Sequence, residues 1–193
     1  MFSFNNYLPI KTVRVAAEVL KGYKGMVADI ACGKGVLLRE IGRHNDKKIV
    51  GIDGAWHQIT DAKNAGMSVL RGDILRMPYK SRVFDIAVCL NTIYNFSSLS
   101  EFEPAFREMI RIINKNGKLV IDIRNRRNPV IRIKNWLHSR KMTFPTIPYL
   151  PEDIINVMNA TGCRLIREKA VGINNQYLAW GYIMVFEKKE NME

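Results

Sequence analysis

The chain reads MVADIACGKG over residues 26–35. The first five residues form a short, mainly apolar run, which is typical of a buried strand. Gly33 and Gly35 follow, and apolar residues then recur at helical spacing over residues 36–41. Glycines after a first strand let the backbone approach a ligand closely, and the beginning of the next helix offers unpaired N–H groups. The stretch therefore predicts a strand, a glycine-rich ligand-binding turn and a helix.

The rest of the chain alternates between the same two patterns. Apolar runs predict strands at residues 26–30, 48–53, 68–71, 83–90 and 118–123, and helical spacing predicts helices at residues 10–21, 36–41, 58–65 and 99–113. Asn116-Gly117 is predicted to form the turn before the fifth strand. Near the end, a helix at 151–161 precedes two strands, 164–171 and 180–188, that have no helix between them. This order predicts a parallel sheet that finishes with an antiparallel strand.

Length and composition exclude several classes of protein. A chain of 193 residues suits one domain. No apolar stretch reaches the roughly 20 residues of a membrane span, and the first residues lack the pattern of a secretory signal. Cys32, Cys89 and Cys163 lie far apart and form no Cys-x-x-Cys pair, which argues against a zinc site or a disulfide framework. We therefore expect a cytoplasmic protein without a bound metal.

An aspartate stands at or just after the end of each of three successive predicted strands. Asp29 precedes the glycine turn, where a carboxylate would repel a pyrophosphate but suits a ligand with an ammonium group and a sulfonium. Asp53 is placed to accept hydrogen bonds from a ribose diol. Asp73 can accept one from an adenine amino group while Ile74 packs on the ring. The Gly-x-Gly-x-x-Gly fingerprint of nicotinamide enzymes is not matched, because its third glycine position holds leucine or valine.

Five other stretches accompany the glycine turn. They are GID at residues 51–53, GDILRMPY at 72–79, FDIAVCL at 84–90, REMIRIINKNGKL at 107–119, and a segment from PEDI at 151–154 to Gly162-Cys163. With VADIACGKG at residues 27–35, they resemble the motifs of the class I S-adenosylmethionine (SAM)-dependent methyltransferases, particularly the small ubiquinone-type or type 11 branch. The resemblance covers most of residues 25–188. Two residues depart from it: Ala31, where many members have glycine, and Asn116, where proline is usual.

The resemblance implies an α/β, Rossmann-like three-layer sandwich with a seven-stranded, mostly parallel sheet and an antiparallel last strand, formed by a single domain over residues 1–193. It implies SAM as the cofactor and S-adenosylhomocysteine (SAH) as its product. The methionine part would lie along the glycine turn, the ribose at Asp53, and the sulfonium near Leu90 and Asn91. The cofactor-binding residues that it implies are Asp29, Ala31, Gly33, Gly35, Asp53, Gly54, Asp73, Ile74, Leu90 and Asn91.

Fewer sequence features point to the methyl acceptor. Methyl transfer from a sulfonium depends mainly on positioning, so it leaves little catalytic signature. The sequence CLNTIYNF at residues 89–96 lacks the Asn/Asp-Pro-Pro-aromatic motif of base N-methyltransferases. RNA C5-methyltransferases need a reactive cysteine near a proline, whereas we expect Cys89 to be buried on its strand and Cys32 to belong to the glycine turn. Asn91 and Tyr94 are candidates to orient an acceptor, although Tyr94 is equally suited to packing. Tyr7 is a candidate lid residue, because the first segment often covers SAM in this family.

Residues 124–141 carry seven Lys and Arg residues and no acid, interleaved with apolar side chains. Their period fits helix and strand equally. We predict a substrate cap at about residues 124–148, with Arg124, Arg127 and Trp136 contacting the substrate. Four interpretations stay open: a cap for a small anionic substrate, a basic element on an anionic membrane, an RNA contact, or a solvated lid with a packed apolar face.

These observations predict a SAM-dependent methyltransferase that acts on a small-molecule or lipid-like, anionic acceptor. The alternatives are an RNA-directed methyltransferase and a non-catalytic protein that binds SAM or nucleic acid. The net charge of +12 fits attraction to nucleic acid, to an anionic membrane or to acidic small molecules, and it fits equally an ordinary basic surface. We expect no integral membrane segment, and a location in the cytoplasm or peripheral to a membrane.

Overall fold

The computed structural model describes residues 4–42, 47–140 and 146–189. These residues form six helices and seven strands, in addition to one 3₁₀ turn at Ile93–Asn95. In chain order the helices and strands are α1 (Phe4–Leu20), β1 (Gly25–Ile30), α2 (Val36–Gly42), β2 (Lys47–Asp53), α3 (Trp56–Asn64), β3 (Val69–Arg71), β4 (Phe84–Cys89), α4 (Leu99–Ile112), β5 (Ile113–Arg124), α5 (Pro129–Ser139), α6 (Pro151–Ala160), β6 (Cys163–Gly172) and β7 (Ala179–Lys188).

The seven strands form one sheet in the order β3-β2-β1-β4-β5-β7-β6. Strands β1 to β5 are parallel, and β7 runs antiparallel to both β5 and β6. The predicted fold class is confirmed, with the last strand lying between β5 and β6. The chain reverses its direction of winding between β1 and β4, and in open α/β sheets this reversal opens a crevice beyond the carboxyl ends of the strands. The ligand-binding edge is therefore the edge at which β1, β2 and β4 end.

Helices cover both faces of the sheet and bury two apolar layers. On one face α4 and α6 pack against the strands, with Phe102 and Phe106 fully buried and their ring centroids 4.8 Å apart. On the other face α1 and α2 contribute side chains such as Val19, Leu20 and Leu37. No helix in the described residues is long and apolar enough to cross a bilayer.

Three regions of the chain differ from their sequence patterns. The first helix, predicted from residue 10, begins at Phe4 and contains Pro9. The Asn116-Gly117 turn lies inside β5, which begins at Ile113 rather than at residue 118. Pairing with β4 shifts there, because Phe84 lies opposite Ile113 whereas Ile86 lies opposite Lys118. Asn116 takes a left-handed φ of 58°, which absorbs the extra residues as a bulge and lets the strand continue. The basic segment, whose period was ambiguous, forms the helix α5.

The end of α4 depends on a buried lysine from β7. Lys188 Nζ donates to the carbonyl oxygens of Ile110 (2.9 Å) and Ile113 (3.4 Å), and α4 ends at Ile112. The last carbonyls of a helix have no partner within the helix, so a donor here satisfies them. Burial lowers the pKa of Lys188.

We expect Lys188→Met to lower the free energy of unfolding by about 1–3 kcal/mol, because it leaves these buried carbonyls unpaired. Urea unfolding followed by circular dichroism measures the change. Lys189→Met is the matched control, because Lys189 is exposed at the next position. Equal losses in both variants would show that the carbonyl bonds are not the cause.

Candidate active site

A cavity of about 480 Å³ lies at the carboxyl end of β1, beneath α1. We call it the turn cavity, because the glycine turn forms its floor. Five of the predicted cofactor-binding residues line it: Asp29, Ala31, Gly33, Leu90 and Asn91. They come from the ends of β1 and β4, so the sheet brings together residues that are 60 positions apart.

A second cavity, of about 460 Å³, lies at the loops that follow β2 and β3. Gly54, Asp73 and Ile74 line it, together with Arg71 and Gly72. Eight of the ten predicted cofactor-binding residues therefore line one cavity or the other. The two that line neither cavity are Asp53 and Gly35, and both help to set the backbone conformation of the glycine turn.

The glycine turn needs left-handed backbone at three positions. Ala31, Gly33 and Gly35 have φ values of 56°, 53° and 71°. Gly35 also packs closely on Met67, whose Sδ atom would overlap a side chain at position 35. The alanine at position 31 occupies a conformation that costs an ordinary residue roughly 1 kcal/mol, so the turn accepts some strain there.

Asp53 fastens the glycine turn to the end of β2. Its Oδ2 atom accepts a hydrogen bond from the Gly33 N–H (2.8 Å), and its Oδ1 atom accepts one from the Ala55 N–H (2.8 Å). Each carboxylate oxygen has a second lone pair, so Asp53 can still accept hydrogen bonds from a ligand. The predicted ribose contact stays a prediction, and the structure adds a positioning role that the sequence did not indicate.

Asp29 is a buried carboxylate without a counter-ion. The residue is only 3% exposed, and among the described residues no cation or hydrogen-bond donor offsets the effect of its burial. Burial raises its pKa well above the ordinary value, and the negative charge of Asp53 raises it further. A buried anion is costly unless a cation or hydrogen bonds compensate it. A positive group in the turn cavity would lower this cost.

Three of the residues that were predicted to contact the methyl acceptor meet at the carboxyl ends of β4 and β5. Arg124 donates from Nη2 to Asn91 Oδ1 (2.9 Å) and to Tyr94 Oη (3.0 Å). Its guanidinium carbon also lies 4.6 Å from the centroid of the Tyr94 ring. Burial raises the pKa of Tyr94, although the nearby Arg124 opposes this shift. The cluster therefore offers a neutral phenol and a buried cation beside the turn cavity.

Asp122, which is not among the residues predicted from the sequence, completes this cluster. Its Oδ1 atom accepts a hydrogen bond from the backbone N–H of Asn91, which has a left-handed φ of 57°. The Asp122 side chain is 1% exposed, and its Oδ2 atom has no partner among the described residues. Burial raises the pKa of Asp122, although Arg124 lowers it again. The sequence signal that would have identified Asp122 is an acidic residue within the otherwise apolar strand sequence VIDIR at residues 120–124.

Two other residues that were predicted to contact the methyl acceptor, Arg127 and Trp136, lie apart from this cluster. Arg127 pairs with Glu152 on α6, with 2.8 Å between Nη2 and Oε1. Trp136 lies on α5, where it lines a large cavity of about 1370 Å³. Arg126 and Arg132, which were not singled out, line the same cavity. Tyr7 belongs to α1, but its side chain lies outside the part of the chain that the structure describes.

The cysteines have no reactive character in this structure. Cys32, Cys89 and Cys163 are buried, and burial raises the pKa of each thiol, for Cys163 to about 11. The described residues contain no cluster of three or more His, Cys, Asp or Glu side chains that could hold a metal ion. Among the described residues, the groups that can interact with a ligand at this site are therefore carboxylates, backbone N–H groups and the Arg124 cluster.

Residues 28–121 match a family model described as a methyltransferase domain. Two relatives are the probable tRNA methyltransferase 9B of Mus musculus, 30% identical over 96 residues, and the demethylmenaquinone methyltransferase of Deinococcus radiodurans, 30% identical over 113 residues. The alignments cover 50% and 55% of this chain, but only 21% of the mouse protein and 46% of the bacterial one. The chain thus spans less than half the length of these relatives.

Among solved structures, magnesium protoporphyrin IX methyltransferase from Synechocystis PCC 6803, with bound SAH, is similar over nearly the whole chain. The TM-score is 0.78 at 12% sequence identity, and the match covers 98% of this chain and 89% of that one. At this identity the likeness concerns the fold, which is the same Rossmann-like arrangement.

The isolated charge of Asp29 predicts a pH-dependent cost in stability. Because its pKa is raised, the folded protein keeps a proton at pH values where the unfolded chain has lost it. The free energy of unfolding then falls as pH rises above about 4, the ordinary range of an aspartate. We expect Asp29→Asn to be more stable than the parent at pH 8 and the difference to shrink towards pH 4, as measured by urea unfolding.

Asp61→Asn serves as the control for this titration. Asp61 is exposed and pairs with Lys34 at 2.8 Å, and that pairing lowers its pKa. Its replacement should bring no gain at pH 8. A parent and an Asp29→Asn variant that respond identically to pH would contradict the assignment of an uncompensated charge at Asp29.

Proposed function

We propose that this chain is a class I SAM-dependent methyltransferase, which binds SAM across the turn cavity and the second cavity and transfers the methyl group; the match of residues 28–121 to the methyltransferase-domain model supports this. We further propose that the described residues belong to one domain, in which residues 124–148 form a substrate cap. Residues 141–145 of that cap lie outside the described part of the chain.

The observation that carries this proposal is the uncompensated carboxylate of Asp29. The amino-acid part of SAM has an ammonium group, which would neutralise Asp29 and lower the cost of burying it. A nicotinamide dinucleotide would instead bring a pyrophosphate towards Asp29 and Asp53. The charge of the turn cavity thus favours the sulfonium cofactor over its main rival.

The space on the other side of Asp53 suits an adenosine. The second cavity combines an exposed carboxylate, Asp73, with the apolar side chain of Ile74. Asp73 accepts from the Leu75 N–H through Oδ1 (2.9 Å), which holds the carboxylate in place. A base can pack on Ile74 while its amino group donates to Asp73, and the ribose then lies nearest to Asp53.

When bound, SAM supplies an electrophilic methyl group and a good leaving group. The residues of this chain contribute position: Asp29 binds the ammonium, and Asp53 orients the ribose. Tyr94 stays protonated near neutral pH, because burial raises its pKa. Its hydrogen bonds with Arg124 and Asn91 therefore orient an acceptor rather than remove a proton from it.

The acceptor that we propose is a large, partly apolar molecule with an anionic group. The large cavity is lined by apolar side chains such as Ile133, Trp136 and Ile147, and by Arg126 and Arg132. A second candidate, tRNA, is favoured by the name of the mouse relative and by the net charge of +12.

Cofactor binding is tested by calorimetric titration with SAH. We expect Asp53→Ala to weaken SAH binding at least about tenfold, from the loss of charge-assisted hydrogen bonds worth roughly 1.5–3 kcal/mol. Asp29→Asn should weaken it too, whereas Asp61→Ala, on the exposed side of α3, should not. If Asp53→Ala bound SAH as tightly as the parent, the proposed contact between Asp53 and the ribose would be wrong. If the protein bound NADH and not SAH, the proposed cofactor would be wrong.

The acceptor is tested by transfer of a labelled methyl group from SAM to two pools, a lipid extract and bulk tRNA. We expect label in the lipid fraction, and about tenfold less of it in the double variant Arg126→Gln/Arg132→Gln, because an anionic group loses its partners. SAH affinity should be unchanged. Arg107→Gln, an exposed arginine of α4, is the control. Label in tRNA alone would select the second candidate.

A further inference from the structure

One side of α5 exposes a stripe of large apolar side chains. Val130, Ile133, Trp136 and Leu137 recur at helical spacing, and their exposed fractions lie between 47% and 60%. The helix is anchored from its other side by Ile131, which is 2% exposed. We call the four exposed residues the α5 stripe. A surface helix ordinarily directs its large apolar side chains towards the core and its polar side chains towards solvent. In α5, large apolar side chains also face solvent.

A second exposed apolar group lies beside the beginning of α5. It consists of Ile173, Tyr177 and Leu178 in the loop between β6 and β7, and we call it the hairpin tip. Asn128, just before α5, donates from Nδ2 to the Leu178 carbonyl (3.1 Å), and Asn125 donates to the Gln176 carbonyl (2.8 Å). These bonds join the loop to the segment that leads into α5.

The hairpin tip and the α5 stripe lie at the same edge of the sheet. The strand β5 ends at Arg124, a short segment before α5 begins at Pro129, and β7, which pairs antiparallel with β5, begins immediately after the tip. Together the two groups hold more than half of the large apolar side chains that are exposed in the described residues. A concentration of exposed large apolar side chains of this kind is typical of an interaction site.

The chain segments that form this surface carry charges of one sign, and the acids at the beginning of the neighbouring helix α6, Glu152 and Asp153, already interact with the Arg127 guanidinium and the Leu150 N–H. No Asp or Glu occurs between residues 123 and 151, and no charged residue of either sign occurs between residues 170 and 186. At 100° per residue, Arg132 and Lys134 lie on the two flanks of the α5 stripe. The guanidinium carbon of Arg140 lies 4.1 Å from the centroid of the Trp136 ring. The surface is therefore apolar in the middle and cationic at its sides.

We propose that the α5 stripe and the hairpin tip dock on the surface of an anionic phospholipid bilayer. Helices that lie in a membrane interface combine an apolar side with flanking Lys and Arg, and Trp and Tyr are enriched at that depth. The cations flanking the stripe complement the negative charge of the headgroups. A nucleic acid would use the same cations, but it would leave seven large apolar side chains in water, so the bilayer explains both features.

Docking also gives a route to the large cavity. Ile133 and Trp136 belong to the α5 stripe and also line that cavity, so its opening adjoins the docking surface. An acceptor dissolved in the bilayer would reach the cavity without crossing water. This consequence rests on the proposed function, whereas docking itself does not.

The test is sedimentation of the full chain with vesicles of phosphatidylcholine alone or of phosphatidylcholine mixed with phosphatidylglycerol. We expect binding to the mixed vesicles that weakens as salt rises. The double variant Ile133→Ser/Leu137→Ser should bind about tenfold more weakly, because less apolar surface enters the interface. Trp56→Ser/Ile166→Ser is the matched control, since it removes exposed apolar side chains elsewhere and should bind like the parent.

Two further measurements separate the possible failures. Circular dichroism shows whether each variant is folded, and SAH titration without vesicles reports cofactor binding alone. SAH binding without vesicle binding would overturn docking and leave the proposed function intact, whereas vesicle binding without SAH binding would do the reverse. Vesicle binding that Ile133→Ser/Leu137→Ser does not weaken, or tRNA binding with no vesicle binding, would also overturn docking.

Discussion

Asp53 accepts hydrogen bonds from the N–H groups of Gly33 and Ala55, and these two bonds hold the ligand-binding edge of the sheet together. They join the glycine turn after β1 to the beginning of the loop after β2. The turn itself is held in left-handed backbone at three positions, one of them an alanine. Both candidate cofactor cavities adjoin this junction, so their shapes depend on it.

At the same junction two carboxylates, Asp29 and Asp53, lie close together, and burial makes the charged form of Asp29 unfavourable. Asp29 lies in the turn cavity without a counter-ion, and Asp53 raises its pKa further. The parallel sheet and its apolar layers supply the stability that tolerates this arrangement. Binding sites commonly keep such locally unfavourable features, because the ligand compensates them when it binds. A cationic group beside Asp29 would offset the cost of burying its charge, because opposite charges attract most strongly where water is excluded.

Along the sheet edge, the character of the residues changes from acidic to basic. The ends of β1 and β2 carry aspartates, whereas β5 ends at Arg124 and continues into the cationic α5. Between them, Asp122 and Arg124 meet at Asn91 and combine both signs in a buried cluster. The exposed apolar side of α5 adjoins the large cavity, because Ile133 and Trp136 belong to both.

The sequence by itself determined the order of the strands and of every helix except α5, the fold class and the position of the glycine turn. These depend on local period and on glycine, which act within a few residues. It also placed Asp29, Asp53 and Asp73 at one edge, because parallel strands end together. Only the tertiary structure decided what each side chain contacts. The β5 bulge at Asn116, the Arg127–Glu152 pair and the burial of Asp122 against Asn91 all join distant parts of the chain, and no local pattern encodes such distances.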